Sequence, residues 1–138
     1  MFAHHRTLAV SFLGIAAAAA ALVGVPCRAE EPPAARKQVV LAEPTSFAGH
    51  AAVMGLVELP PGTSEGRHTH PGELFGFVLA GSVSVEVEGL PKRTLKAGEA
   101  YHVLPGRVHD VLNAGDVTAK TAVVLLAESG KPPTSPAK

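Results

Sequence analysis

From residue 38 onward, glycine and proline interrupt the chain at short intervals, and this punctuation limits what the chain can fold into. The clearest run between interruptions, residues 82–88 (SVSVEVE), places valine at every second position. That is the period of a β-strand with one buried face. Nothing between the interruptions shows a convincing helical period. The pattern predicts an all-β antiparallel sandwich or barrel.

The turn sequences divide this part of the chain into nine expected strands. Pro-Pro-Gly at residues 60–62 and Pro-Gly at 71–72 and at 105–106 favour turns, because proline presets φ and glycine tolerates positive φ. We expect strands at residues 38–42, 51–59, 67–70, 73–80, 82–88, 92–95, 100–104, 108–113 and 119–127.

The N-terminal residues 1–29 predict a helical signal peptide. Residues 8–25 are almost entirely apolar, and Cys27 and Ala29 place small residues where a signal peptidase requires them. An uncleaved membrane anchor is the alternative, since about 18 apolar residues can just span a bilayer. The alanine-rich centre is only mildly hydrophobic, which favours cleavage. We therefore expect a periplasmic or secreted protein without stable membrane insertion.

A length of 138 residues fits a single folded domain. We expect a flexible leader at residues 30–37, a barrel at 38–128 and a disordered tail at 129–138. The chain has 12 Lys and Arg against 12 Asp and Glu, so no basic surface for nucleic acid is expected. The single cysteine, Cys27, lies in the predicted signal peptide. This excludes a disulfide or a thiolate metal site in the folded domain.

Three histidines predict a metal site. His68 and His70 are one residue apart, so on a strand both side chains point to the same face. His109 follows the Pro-Gly turn at residues 105–106. Neutral imidazole is a common ligand for transition metals, and three protein ligands leave positions open for water or substrate. We expect one divalent transition metal, with Fe, Zn, Ni, Cu and Mn all left open.

The same residues carry a family resemblance. Residues 62–81, with Gly-x5-His-x-His and a closing glycine, resemble the first motif of the cupin superfamily. Residues 98–113, with Pro-Gly followed by His-x3-Asn, resemble the second. The resemblance, to small single-domain cupins of type 2, implies a double-stranded β-helix barrel, or jelly roll. It also implies one divalent metal held by three histidines and a glutamate, with His68, His70 and His109 at the histidine positions.

The glutamate is displaced from its expected place. The family's glutamate position falls on Leu74, whereas the chain carries Glu73, one residue earlier. A shift by one residue turns a strand side chain to the opposite face, but a bulge after the preceding Pro-Gly could re-aim it. If Phe75 and Phe77 face the interior, Glu73 faces it too. If Leu74 faces the interior, Glu73 is outside, and both alternatives stay open.

Leu74, Tyr101 and His102 are the candidate pocket-lining residues. Leu74 occupies the family's glutamate position, and either Tyr101 or His102 could face the pocket, since they point to opposite sides of one strand. Without a carboxylate, the site would carry more positive charge and would favour an anionic small-molecule ligand. The catalytic residues are unassigned.

Three interpretations fit these residues, and a metal-dependent enzyme ranks first. Open metal positions in an apolar barrel suit a small-molecule enzyme of the dioxygenase, decarboxylase or isomerase type. A non-catalytic exported module that binds a metal or a small ligand is the alternative, ranked second, because a fold does not dictate a reaction. A metal-free barrel that serves only as a scaffold is the third interpretation. Strand 73–80 is apolar on both faces and needs cover on its outer side, which points to a homodimer.

Overall fold

The computed structural model describes residues 31–138, and the signal-peptide prediction lies outside these residues. The described part contains ten strands and no helix that is long and apolar enough to cross a membrane. The strands are β1 (Arg36–Pro44), β2 (His50–Leu59), β3 (His68–Thr69), β4 (Gly72–Ala80), β5 (Ser82–Val87), β6 (Arg93–Lys96), β7 (Ala100–Val103), β8 (His109–Leu112), β9 (Ala119–Glu128) and β10 (Ser135–Pro136).

The strands form two five-stranded sheets. One has the order β1-β2-β9-β4-β7 and the other the order β10-β3-β8-β5-β6. Every paired strand runs antiparallel to its neighbour. The predicted all-β antiparallel architecture is confirmed, and the expected strands correspond to β1–β9 within a few residues at each end.

Side-chain alternation fills the space between the sheets. Along β4, Leu74 and Val78 are buried, whereas Phe75 and Phe77 are exposed. The core also takes leucines and valines from both sheets, and burying each such side chain stabilises the fold by about 1.5–3 kcal/mol. The inward row of β4 is therefore the one that contains Leu74, which places Glu73 on the outer face.

A glycine opens room for the one tyrosine of the chain. Gly76 on β4 pairs with Tyr101 on β7, and the tyrosine ring lies across the glycine. A methyl group at position 76 would overlap that ring. Tyr101 is therefore packed into the core, and only 5% of it is exposed.

Both ends of the barrel differ from the expectation. Strand β1 begins at Arg36, so the leader is shorter than residues 30–37. The tail at residues 129–138 was expected to be disordered, but part of it forms a strand. Strand β10 pairs with β3 through Ser135↔Thr69 and Pro136↔His68. Pairing supplies backbone hydrogen-bond partners that the composition of the tail did not reveal.

The outer face of the first sheet is apolar, and we call it the outer apolar face. Leu41, Met54, Val124 and Phe75 form one row across β1, β2, β9 and β4. A second row contains Leu56, Ala122 and Phe77. The two phenylalanines are 43% and 46% exposed. A contiguous row of this kind is unusual for an isolated monomer.

Candidate metal centre

The second sheet brings three histidines together. His68 on β3 lies directly opposite His109 on β8, and His70 follows β3. The ring centroids of His68 and His109 are 4.3 Å apart. The ring centroid of His70 lies 4.8 Å from that of His68 and 5.0 Å from that of His109. One nitrogen of each imidazole falls within 4.8 Å of the others. This spacing allows all three rings to bind one ion.

Each of the three imidazoles is oriented by a hydrogen bond to a backbone carbonyl. The Nδ1 atom of His68 donates to the oxygen of Gly66 at 2.6 Å, and that of His109 to the oxygen of Arg107 at 3.1 Å. His70 Nδ1 donates to the oxygen of Pro133 at 2.6 Å. Because a carbonyl only accepts, the proton lies on Nδ1 and the Nε2 lone pair is left for a metal. This is the usual outer arrangement of metal-binding histidines.

The donor set fits a divalent transition metal. His109 Nε2 is buried and has no hydrogen-bond partner, which is costly for a polar atom unless something binds it. Three neutral imidazoles are ligands that Zn, Cu, Fe and Ni accept. The residues present therefore match a metal held by His68, His70 and His109.

Burial keeps these histidines neutral. Loss of solvation lowers the pKa of His68, His70 and His109 below its ordinary value of 6.5, and neighbouring imidazoles of the cluster lower it further. The carbonyl bonds to Nδ1 oppose this change in pKa without reversing it. Neutral imidazole is the form that binds metal, so the cluster is prepared for an ion near neutral pH.

Glu73 does not join the cluster, which corrects the expectation that it could be a fourth ligand. Its Oε2 lies 3.0 Å from Nε2 of His102, and the two side chains are 46% and 42% exposed. His102 also stacks on Phe75 at a centroid distance of 4.6 Å. Both residues belong to the outer face of the barrel, because β4 keeps a regular alternation through Glu73 and Leu74 with no bulge between them. His102 is therefore not a pocket residue.

The other two candidate pocket residues point inward. Leu74 is buried and lines a cavity that His70 also lines. Tyr101 is buried in the core, and loss of solvation, with a smaller contribution from the charge of Glu65, raises its pKa above its ordinary value of 10.0. Tyr101 faces the interior without lining this cavity.

The cavity beside the cluster is small and mostly apolar. Its volume is about 130 Å³, close to that of an engineered cavity of about 150 Å³ that binds benzene. Val53, Leu74 and Leu125 contribute apolar surface, and His70 reaches it from the cluster. A ligand of about six non-hydrogen atoms fits this space.

A carboxylate that the sequence reasoning missed lies in the same cavity. Glu65 lines it together with Lys37, and their charged atoms are 2.7 Å apart. Only 8% of the Glu65 side chain is exposed. Glu65 precedes β3 in an irregular segment with no strand period, so no periodicity signalled its direction. Its position within the five-residue spacer before His68 was the only available hint.

Comparison with known proteins gives the family. The family model for the cupin domain matches residues 55–125, which is more than half of the chain. Among curated proteins, the tetracenomycin polyketide synthase protein TcmJ of Streptomyces glaucescens is 35% identical over 81 residues. The match covers 58% of this chain and 54% of that protein, so the chain spans about half the length of this relative.

Solved structures give the same fold. An uncharacterised conserved protein with a double-stranded β-helix domain from Klebsiella pneumoniae superposes with a TM-score of 0.64 at 22% identity, covering 80% of this chain and 90% of that one. The DMSP lyase DddQ from Ruegeria pomeroyi superposes with a TM-score of 0.62 at 24% identity, covering 74% and 51%. The two sheets, the paired histidine motifs and the matching family model together show that the chain belongs to the cupin superfamily.

Proposed function

We propose that the protein is an exported metalloenzyme that holds one divalent transition metal through His68, His70 and His109 and acts on a small molecule in the adjoining cavity. The observation that carries the metal site is the shared orientation of the three rings, each with Nδ1 bonded to a carbonyl. A metal bound there would supply Lewis-acid polarisation of a ligand oxygen.

The residues around the cluster support binding of a small molecule rather than a purely structural metal. A structural zinc site is usually closed by four protein ligands, whereas this cluster has three among the described residues. His70 belongs to both the cluster and the cavity wall, so a ligand in the cavity lies beside the metal position. The cavity wall is mostly apolar, and Leu74 occupies the place where the family resemblance implies a carboxylate.

Metal binding is tested by loading purified protein with Co²⁺ and following its visible absorbance during titration. We expect one ion per chain, and His68→Ala, His70→Ala and His109→Ala should each weaken binding strongly. His50→Ala is the matched control, because His50 Nδ1 also donates to a carbonyl, that of Ala48 at 3.0 Å, but the residue is exposed and outside the cluster. Sub-stoichiometric binding, or an equal loss in His50→Ala, would contradict the site.

Turnover is tested separately with the metal-loaded protein. Diols, β-diketones and oxalate are incubated with it while O₂ uptake and product formation are followed, which separates dioxygenase, decarboxylase and isomerase chemistry. Product formation that disappears in His109→Ala supports an enzyme. Ligand binding without any turnover across the panel supports the alternative, a non-catalytic binding module.

Export is part of the proposal and is supported by the apolar stretch at residues 8–25 and the small residues at 27 and 29. The cleavage pattern predicts that the mature chain begins at Glu30. N-terminal sequencing of protein recovered from separated cell fractions tests this. A chain found in the membrane fraction with residues 1–29 intact would contradict cleavage and favour the anchor.

We also propose that two copies pair through the outer apolar face. The face carries a polar pair at each end, the ion pair Glu58–Lys120 at one end and the hydrogen-bonded pair Glu73–His102 at the other. A twofold axis through the apolar rows would bring identical rows together and set these polar pairs at the rim, as an isologous interface requires. The predicted partner is therefore a second copy of this chain.

A further inference from the structure

Hydrogen bonds fix the backbone on both sides of Glu65. Its backbone nitrogen donates to the oxygen of Val111 at 3.0 Å, and the preceding Ser64 forms an isolated bridge with Leu112 on β8. The following Gly66 donates to Ser64 Oγ at 3.0 Å, and its own carbonyl accepts the bond from His68. The segment that carries Glu65 thus also orients His68, so the backbone at Glu65 is fixed relative to the cluster.

The Glu65 carboxylate lines the cavity that His70 also reaches from the cluster. Its charge partly opposes the lowering of the pKa of all three imidazoles by burial, and it adds to the raised pKa of Tyr101. No other carboxylate of the described chain acts in this way on all three histidines. Lys37 is the cation opposite it, at 2.7 Å. Glu65 and His70 line the same cavity, so a ligand there meets the carboxylate and the metal position at once.

We propose that Glu65 is the proton-accepting group of this site, acting on a small and largely apolar ligand that carries one acidic O–H or C–H group. The inference rests on the metal site proposed above and assigns a role that the displaced Glu73 does not fill. A buried carboxylate within reach of a bound ligand has the chemistry of a general base. The ligand's proton forms an O–H bond on Glu65, and the bonding electron pair stays on the ligand.

Glu65 has a cation as its partner in the cavity. A carboxylate removed from water is costly unless a cation or hydrogen bonds compensate it. Lys37 provides that compensation and reaches the cavity from β1. The rest of the cavity wall is mostly apolar, which selects against ligands with several charges. The expected ligand is therefore neutral in solution and becomes anionic by giving its proton to Glu65.

The experiment counts protons when Co²⁺-loaded protein binds acetohydroxamic acid, a small acid that binds metals as its anion. Calorimetric titration near neutral pH in buffers of different ionisation enthalpy gives the number of protons released to solvent. We expect wild-type protein to release far less than one proton per bound probe, because Glu65 takes it. Glu65→Gln should release about one. Glu73→Gln, which removes an outer-face carboxylate, should behave as wild type.

The outcomes separate this inference from the proposed metal site. Absence of Co²⁺ absorbance refutes the metal site itself. A loaded wild-type protein that releases a full proton, or that does not bind the probe, overturns the role of Glu65. Equal proton counts in wild type and Glu65→Gln overturn it too, since a bound hydroxide would then be the acceptor. If Glu65→Gln does not fold, Glu65→Asp, whose carboxylate is one methylene shorter, replaces it. This variant should release more than the wild type and less than one proton, and a count equal to that of the wild type overturns the role of Glu65.

Discussion

His68 and His109 lie directly opposite each other on antiparallel strands, with ring centroids 4.3 Å apart. The register of β3 against β8 therefore sets the geometry of two of the three proposed ligands. A slip of one residue would turn one imidazole to the other face of the sheet and separate the pair. The third imidazole, His70, depends on a different part of the chain, because its Nδ1 bonds to Pro133.

Truncation of the C-terminal residues 130–138 should weaken metal binding. The deletion removes the Pro133 carbonyl that orients His70 and the strand β10 that pairs with β3. Loss of an outer hydrogen-bond partner of a metal-binding histidine typically costs about 10–100-fold in affinity. Co²⁺ titration measures this effect. Deletion of Lys138 alone is the control, and equal affinity in the long truncation would show that the tail does not support the site.

The tail contributes to the site through a contact that the sequence does not predict. The histidines could be predicted because His68 and His70 are close in sequence and follow a recognisable spacing. The contribution of Pro133 could not, since it comes from a contact across 63 residues in a segment whose composition is typical of disorder. The strands were predictable for a local reason as well: the turn residues and the period of two along β5 specify them without knowledge of distant contacts.

The metal-free protein should lose stability as the pH falls below about 6.5, the ordinary pKa from which burial lowers that of His68, His70 and His109. Below that pH the unfolded chain binds protons that the folded chain does not, so the free energy of unfolding decreases. The decrease ends below the lowered folded-state pKa values.

Urea unfolding at a series of pH values measures this dependence. The variant His109→Gln removes one buried imidazole and should show a shallower loss of stability on acidification. The exposed His50 provides the control, since His50→Gln should leave the profile of the wild type unchanged. Parallel profiles for wild type and His109→Gln would contradict the prediction.

Gly76→Ala should destabilise the fold, because its methyl group would overlap the ring of Tyr101. Overpacking of this kind costs about 1–3 kcal/mol. Thermal or urea unfolding measures the loss. The double variant Gly76→Ala with Tyr101→Val should recover part of it, since the smaller side chain frees the space. Additive losses in the two variants would show that the methyl group and the ring do not compete.

The facing of β4 could not be settled from the sequence, because both of its faces are apolar. Phe75 and Phe77 are bulkier than Leu74 and Val78, and size alone would have placed them inside. The structure places them outside, because Gly76 must lie inward to admit Tyr101 and therefore fixes the alternation of its neighbours. The same facing moves Glu73 away from the histidines and leaves Glu65, which no periodic pattern signals, as the carboxylate of the cavity.

Phe77→Glu should convert a dimer into a monomer. Phe77 lies on the outer apolar face and is 46% exposed in a single chain, so a charged residue there is compatible with the fold but would be buried without a partner charge in the proposed interface. Stable interfaces bury about 800 Å² on each partner, and a buried unpaired charge at such a site costs several kcal/mol.

Sedimentation velocity at micromolar concentration measures the change. Wild-type protein should sediment as a dimer and Phe77→Glu as a monomer with unchanged thermal unfolding of the chain itself. Leu90→Glu is the matched control, because Leu90 is also exposed and apolar, at 61%, but lies in the turn between β5 and β6 of the other sheet. A monomeric wild type, or dissociation caused equally by Leu90→Glu, would show that the outer apolar face is not the contact between two copies.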